Sequence, residues 1–512
     1  MDTTNTKNRK WLIFFGAGLM IFLINIDMTI VNLALATIAK NLHANMATIQ
    51  WIINAYLLTT IIFFIVGGKL ADHFGPKRIF LLGTVFFGIG SLIAGFASST
   101  HILIIGRFVQ GIGFAFTLSL ALLMITHAFS PKQRGFILGL AITLTGLGQA
   151  LGPTVGGVIL TELSWHWIFL INIPIVLVSF ILIVLFGHKA TQKTKPLSLD
   201  YLGIVLLGAA IILLLLSLSS LTQTTIHVYR FIGEFIASIV LLVLFAVNVF
   251  KKDAPLFDLK LFLHRDYSFS ILIRFFFMYT FSLFLFVIPL LLQNIIGHSP
   301  LIAGLIILLF SAILGICAPM AGLWCDSVGY RIPIVTAAIL AVIAFLVLST
   351  TVFHPTTYYL MWLALILFGF SVGLMIPATV NSTVSALPLS NRGEGLGMFF
   401  TIAFIGSSLG VALGGLVLNW LSWRTFTHIA GASLLSLTHP QMAILHSLAN
   451  GTQNLNVFTH YFSHQQLMQL RPMIDQSFIF GFTVIMGINA ILSILITIFG
   501  CLLQNRAKFE ND

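Results

Sequence analysis

Fourteen separate stretches of this chain each run for about twenty or more mainly apolar residues, the length that a helix needs to cross a bilayer. They fall at 12–38, 47–67, 79–98, 102–124, 135–160, 167–186, 200–220, 231–250, 268–292, 300–321, 333–351, 357–380, 396–418 and 476–502. Lipid-facing strands would alternate apolar and polar residues over only about ten positions. No span sustains that alternation, so the spans read as helices. Composition agrees. Charged residues are 8% of the 512 and hydrophobic residues 58%, where a soluble domain carries about 25% charged residues. These numbers exclude a cytosolic enzyme and a disordered chain. Three Cys exclude a disulfide-stapled secreted scaffold. The expected fold class is an all-α polytopic membrane protein.

Orientation follows from Lys and Arg, which concentrate in cytoplasmic loops. With the N-terminus inside, nineteen of them fall in cytoplasmic segments. Four fall outside: Lys40, Arg230, Arg424 and Arg471. Arg107 and Arg274 remain within spans. Both termini are therefore expected in the cytoplasm, and the formal charge of +11 needs no nucleic acid to explain it. The basic loops read as anchors to anionic headgroups. The first span is long and has no small-residue cleavage site, so it reads as a retained span and not a signal peptide.

Two loops repeat a pattern of Gly, three residues, Asp, two residues, Gly, then a basic residue. One is Gly68-Lys69-Leu70-Ala71-Asp72-His73-Phe74-Gly75-Pro76-Lys77-Arg78; the other runs from Gly322 through Asp326 and Gly329 to Arg331. Each follows the second helix of a six-helix set, which implies two related halves. The expected division is a cytoplasmic N-terminus 1–11, a six-helix bundle 12–186 and a linker 187–199. An extra two-helix hairpin 200–250 and a linker 251–267 follow. A second bundle 268–502, with an extracytoplasmic loop 420–475, precedes a tail 503–512.

The repeated loop resembles the signature loop of the major facilitator superfamily. Asp27-Met28-Thr29-Ile30-Val31-Asn32, Gly106-Arg107-Phe108-Val109-Gln110-Gly111, Gly146 through Gly157, and Trp165 through Pro174 resemble motifs of its fourteen-helix drug:proton antiporters, the EmrB/QacA type. The match departs at Ala36 and His166, where that family usually has Pro and Arg. The resemblance implies two six-helix bundles plus two central helices, protons as coupling ion, a bacterial inner membrane, and in some relatives a periplasmic adaptor with an outer-membrane channel.

The residues suggest how such a machine would work. Asp27 lies roughly 22 Å from the cytoplasmic edge of its helix, and Arg107 comes to about the same depth. An ionisable group inside a membrane protein lines a cavity or pairs with another, so these two are expected to form a polar cluster and to couple transport to protons. Asp27 can gain and lose a proton; Arg107 stays charged. Gly68, Asp72, Gly75, Lys77, Arg78, Asp326 and Arg331 are the expected gating residues. Lys77 and Arg78 are expected to reach acidic groups or helix ends of the opposite half. Gly148, Gly152 and Gly156 share one helix face and invite close packing. With Pro153 and Gly157 they form the fifth-helix motif, which in the resembling antiporters lies at the boundary between halves. Asn32, Gln110 and Gln149 are candidate polar cavity residues. Arg274 reads first as a headgroup anchor near the cytoplasmic edge, and second as a cavity residue.

No His/Cys cluster has metal-ligand spacing, and no Gly-x-x-x-x-Gly-Lys-Ser/Thr loop is present, so neither a metal nor an ATP-driven cycle is expected. The leading expectation is a carrier, not an enzyme, that exports small amphipathic compounds in exchange for protons; its expected partners are substrate and membrane lipid, not nucleic acid, with a periplasmic adaptor and outer-membrane channel left open. Dedicated export of one metabolite or siderophore is the alternative. Proton-driven uptake and a non-transporting sensor are more distant readings. The sequence leaves oligomeric state open.

Overall fold

The computed structural model describes residues 3–42, 46–130, 133–188, 200–220, 228–252, 255, 258–298, 300–351, 358–388, 391–431, 441, 445, 448 and 461–504. Regular structure among them is helical. The first half contains α1 (Thr3–Asn41), α2 (Met46–Phe74), α3 (Pro76–Gly95), α4 (Thr100–Ala128) and α5 (Arg134–Glu162). It closes with the short α6 (Trp167–Leu170), which leads into α7 (Asn172–Phe186). A hairpin follows, α8 (Tyr201–Ser220) and α9 (Val228–Lys251). The second half contains α10 (Arg265–Leu290), α11 (Pro300–Val328), α12 (Arg331–Thr351), α13 (Tyr358–Ser385), α14 (Arg392–Gly431) and α15 (His464–Leu502).

Thirteen stretches of described helix are long and apolar enough to span a membrane, and α8 adds a shorter apolar run, Tyr201–Leu214. Counting α6 and α7 as one crossing, these are the fourteen expected spans. Several helix ends have local causes. Gly75 adopts φ 88, where a side chain would be strained, and Pro76 then opens α3 with its φ already helical. Ser463 and Gln466 form a reciprocal capping box at the start of α15.

The two halves pack alike. α1 lies against α5 and α7, α2 against α4, and α3 against α4 and α7. In the second half α10 lies against α14 and α15, α11 against α13, and α12 against α13 and α15. The halves meet through two matching seams, α5 on α11 and α14 on α2. Large apolar side chains such as Leu177, Ile181 and Leu185 on α7 and Ile236, Val240 and Val243 on α9 remain exposed. An aqueous surface would not hold such a band; a lipid surface does.

The hairpin α8–α9 is tied by Ser238 donating to the Ala210 carbonyl (2.8 Å). Asp200 joins its ends, accepting from Lys252 Nζ (2.5 Å), Asn248 Nδ2 (2.6 Å) and the Gly203 amide (2.9 Å). α8 rests on α2 and α14, so the hairpin leans on one of the two seams.

The structure lengthens the last two spans. α14 runs on to Gly431 and α15 starts at His464, both well beyond the expected 396–418 and 476–502. The cause is a satellite core in which Phe426 from α14 and Leu470 and Ile474 from α15 pack with Leu445, Leu448 and Phe462. Most of the loop between them lies outside the described residues, as do Lys132, Lys189, Lys193, Lys195, Arg506 and Lys508.

Candidate functional site: a central cavity, a buried ion pair and two matched locks

Asp27 and Arg107 do meet. Arg107 Nη1 donates to Asp27 Oδ2 at 2.5 Å, and neither side chain is more than 2% exposed. Three further amide and hydroxyl side chains complete the cluster. Asp27 Oδ1 accepts from Asn172 Nδ2 (3.2 Å) and Gln110 Nε2 (3.4 Å). Gln110 Oε1 accepts from Arg107 (3.0 Å), and Ser91 Oγ accepts from Gln110 (2.7 Å) and Asn172 (3.2 Å). Arg107 Nε reaches the Ile52 carbonyl (3.3 Å), and its guanidinium lies over the Tyr56 ring, 3.9 Å from the centroid. The Tyr56 hydroxyl and Asn172 Oδ1 are buried without a partner among the described residues. Such a network holds a charge in low dielectric only because most of its members are hydrogen-bonded.

This network sits inside the first half, joining α1, α2, α3, α4 and α7. A separate cavity of about 210 Å³ lies between the halves. Asn25, Met28, Phe114 and Gln149 line it from one side, and Arg274, Phe281, Phe400 and Ser407 from the other. Asn25 and Asp27 thus sit on different faces of α1. Gln149 does line the cavity and donates to Asn25 Oδ1 (3.2 Å). Gln110 belongs to the ion-pair network instead. Asn32 is exposed and lies outside the cavity lining.

Arg274 is not a headgroup anchor. It is 5% exposed and forms part of the cavity wall. Its guanidinium stands 5.1 Å from the Phe399 ring centroid and 5.9 Å from that of Phe277. Sequence position alone hid this, because α10 starts at Arg265 and its first turns are covered by α13, α14 and α15.

The repeated loops form two locks across the seams. Asp72 on α2 accepts from the Gly393 amide (3.0 Å) and the Glu394 amide (2.8 Å) at the start of α14. Asp326 on α11 accepts from the Gly135 amide (2.8 Å) and the Phe136 amide (3.2 Å) at the start of α5. The free amides of a helix start carry partial positive charge, so a carboxylate there makes strong bonds. Gly68 faces the Gly393 carbonyl and Gly322 the Gly135 carbonyl, each so closely that a Cβ would overlap backbone. Gly329 repeats the positive φ of Gly75.

The gating expectation needs one correction. Lys77 donates to the carbonyls of Val184 (2.8 Å) and Gly187 (3.0 Å), at the end of α7 in its own half. Arg78 and Arg331 are exposed at the starts of α3 and α12. The cross-half partners are Gly393-Glu394 and Gly135-Phe136. A second repeat pointed to them: Arg134-Gly135 and Arg392-Gly393 open α5 and α14 alike.

From each lock the seam continues towards mid-helix. Thr401 donates to the Ile61 carbonyl (2.9 Å), and Thr143 to the Gly315 carbonyl (2.7 Å). Farther along, Gly157 on α5 and Gly304 on α11 have open space where a Cβ would stand. The α5–α11 pair is therefore tight at the Asp326 end and more open near Gly157 and Gly304. On its other face α5 packs on α1. Gly148 meets the Phe22 carbonyl, Gly152 meets Thr29, and Gly156 meets Ile30. Pro153 lies within α5, but its side chain lies outside the described residues.

Among the described residues no group of His, Cys, Asp and Glu could hold a metal ion.

A two-bundle helical fold with a cavity between the bundles defines a secondary carrier. The family model of the Major Facilitator Superfamily matches residues 17–252 and 270–509, and the chain belongs to that superfamily, in its fourteen-helix drug-efflux branch. It is similar to the riboflavin transporter RibZ of Clostridioides difficile, 28% identical over 79% of this chain and 87% of that protein. It is also similar to the methyl viologen resistance protein SmvA of Salmonella typhimurium, 30% identical over 80% of this chain and 83% of that one. Among solved structures, the proton:xylose symporter XylE shares the fold, with a TM-score of 0.61 at 13% identity over 96% of this chain and 95% of that chain. The chain is thus a multi-pass membrane protein and a secondary transporter of small amphipathic compounds, not an enzyme.

Proposed function

We propose that the chain exports its cargo from the cytoplasm in exchange for protons, by rocking of two halves at 12–186 and 268–502 about the central cavity. The observation that carries this reading is the pairing of a cavity between the halves with two matched locks at one end. By the distribution of Lys and Arg that end is cytoplasmic, with both termini, so the arrangement faces outward. Inward opening requires Asp72 and Asp326 to release the amides of α14 and α5 together.

Asp27 carries the coupling proton in this scheme. Because α1 presents Asn25 and Met28 to the cavity and Asp27 to the network, cargo pressing on one face of α1 can disturb the pair on the other. Gln149 and Asn25 offer polar contacts to cargo.

The test uses inside-out membrane vesicles and a panel of amphipathic compounds, following both cargo uptake and collapse of a preset pH gradient. Asp27→Asn should lose proton-driven uptake and keep cargo exchange in the absence of a gradient. Undiminished proton-driven uptake by Asp27→Asn would overturn the assignment. A response confined to one cellular metabolite would favour dedicated transport, the reading to which the similarity with RibZ lends weight.

A further inference from the structure

We infer that the central cavity selects organic anions, seating a carboxylate or sulfonate head on Arg274 and an apolar body among the rings beside it. The inference rests on the reading of this cavity as the cargo site. Among the described residues, the cavity wall contains one charged side chain, Arg274, and no Asp or Glu. Four of the five other polar residues described in the wall are hydrogen-bonded within the protein. Ser282 and Ser407 share a hydrogen bond at 2.5 Å, Gln149 donates to Asn25, and Asn25 donates to the Ile21 carbonyl at 2.7 Å. Arg274 is different. Its Nη1 finds only Thr379 Oγ1, at 3.5 Å, and its buried Nε has no partner among the described residues.

A guanidinium held between Phe399 and Phe277 without a carboxylate is costly in a medium of low dielectric. The buried carboxylate on the other side of α1, Asp27, is already taken by Arg107. An oxyanion entering the cavity would meet a planar, forked guanidinium suited to it, whose Nε has no partner among the described residues. A lipophilic cation would meet a like charge and no acid. Phe281, Phe400, Phe404 and Met278 supply apolar surface for an aromatic or aliphatic body but no charge preference.

The experiment compares three probes with one hydrocarbon body: naphthaleneacetate, naphthalenesulfonate and naphthylmethyl-trimethylammonium. Binding to the purified full-length chain is measured by equilibrium dialysis, and counterflow is measured in proteoliposomes. The two anions should bind the parent more tightly than the cation. Arg274→Gln should weaken anion binding about tenfold or more, while Arg274→Lys should stay within about threefold of the parent. Tighter binding of the cation by the parent, or full anion affinity in Arg274→Gln, would overturn the inference. If Arg274→Gln does not yield folded protein, the parent's ranking of the probes and the Lys variant decide it. Counterflow of the cation alone would remove the anion preference and leave transport standing. Silence of all three probes would also overturn it, and the pH-gradient assay then judges transport separately.

Discussion

Asp27 and Arg107 form a charge pair 2.5 Å apart in which both partners are buried, and Arg107 is also stacked on Tyr56 and bonded to Gln110 and the Ile52 carbonyl. Removing one member of a buried pair leaves the other charge stranded. Arg107→Ala should therefore destabilise the chain by about 3–5 kcal/mol. Arg107→Lys should recover only part of this, because one ammonium cannot reproduce a stacked, forked contact. The double variant Asp27→Asn/Arg107→Gln, which strands no charge, should be more stable than Arg107→Ala. Thermal unfolding of detergent-purified protein checks the order, and a double variant no better than Arg107→Ala would contradict it.

The Asp72 and Asp326 locks predict a graded shift in access. Asp72→Asn keeps the shape but loses charge-assisted bonds to the Gly393 and Glu394 amides. Bonds to a charged group contribute about 1.5–3 kcal/mol, so the closed state should lose roughly tenfold to a hundredfold in population. Asp326→Asn should act likewise, and the pair together should act more strongly. The readout is labelling of an introduced Thr401→Cys or Thr143→Cys, from the Asp72 side, with Cys317, Cys325 and Cys501 replaced. Unchanged labelling in the double lock variant would remove the gating role.

The architecture and the outline of the site were readable in the chain because membrane burial forces long apolar runs and makes each buried charge conspicuous. Asp27 and Arg107 could be matched by depth alone. Ser91, Asn172 and Tyr56 could not, since small polar residues are common in apolar helices and only their convergence marks them. Gln110 sits one helical turn from Arg107, so its place in the network was more accessible to helix periodicity than to its polarity. Arg274 was misread because snorkelling depends on whether neighbouring helices cover the first turns, which no local pattern reveals. Lys77 was misdirected for a similar reason: the end of α7 in its own half, at Val184 and Gly187, takes its ammonium.

The seam between α5 and α1 makes a separate prediction. A Cβ on Gly152 would overlap Thr29 Oγ1 and press on Thr29 Cβ, at 2.9 Å, and the Ile26 carbonyl, at 3.1 Å. Thr29 cannot simply turn away, because its hydroxyl is bonded to the Ile26 (3.1 Å) and Asn25 (3.2 Å) carbonyls. Gly152→Ala should cost about 1–3 kcal/mol through overpacking and push α5 away from α1. Adding Thr29→Ala should restore part of the loss, since it removes the hydroxyl in the way. Transport rate and thermal stability measured on the two single variants and the double would show the coupling; simple additivity would deny the contact.

Asp200 yields the pH prediction. Burial pushes its carboxyl up, but the Lys252 and Asn248 side chains and the Gly203 amide outweigh that and hold it below the usual carboxylate range. A group with a depressed native value adds stability above its unfolded value, near 3.9, and loses it as pH falls through the native value. The α8–α9 hairpin should therefore be equally well docked from about pH 8 to about pH 5 and loosen only below about pH 4. The loosening should reach the seam. Beside α8, Lys69 on α2 donates to the Pro255 carbonyl, and Glu394 on α14 accepts from the Asp258 amide at 2.6 Å, so the segment after the hairpin touches both helices of the Asp72 lock. Hydrogen exchange at the start of α8, corrected for intrinsic rate, should be flat across the neutral range in the parent and fast throughout in Asp200→Asn. In that variant the α14 amides at Gly393 and Glu394 should also exchange faster. Unaltered exchange at α14 would show that the hairpin and the lock are independent.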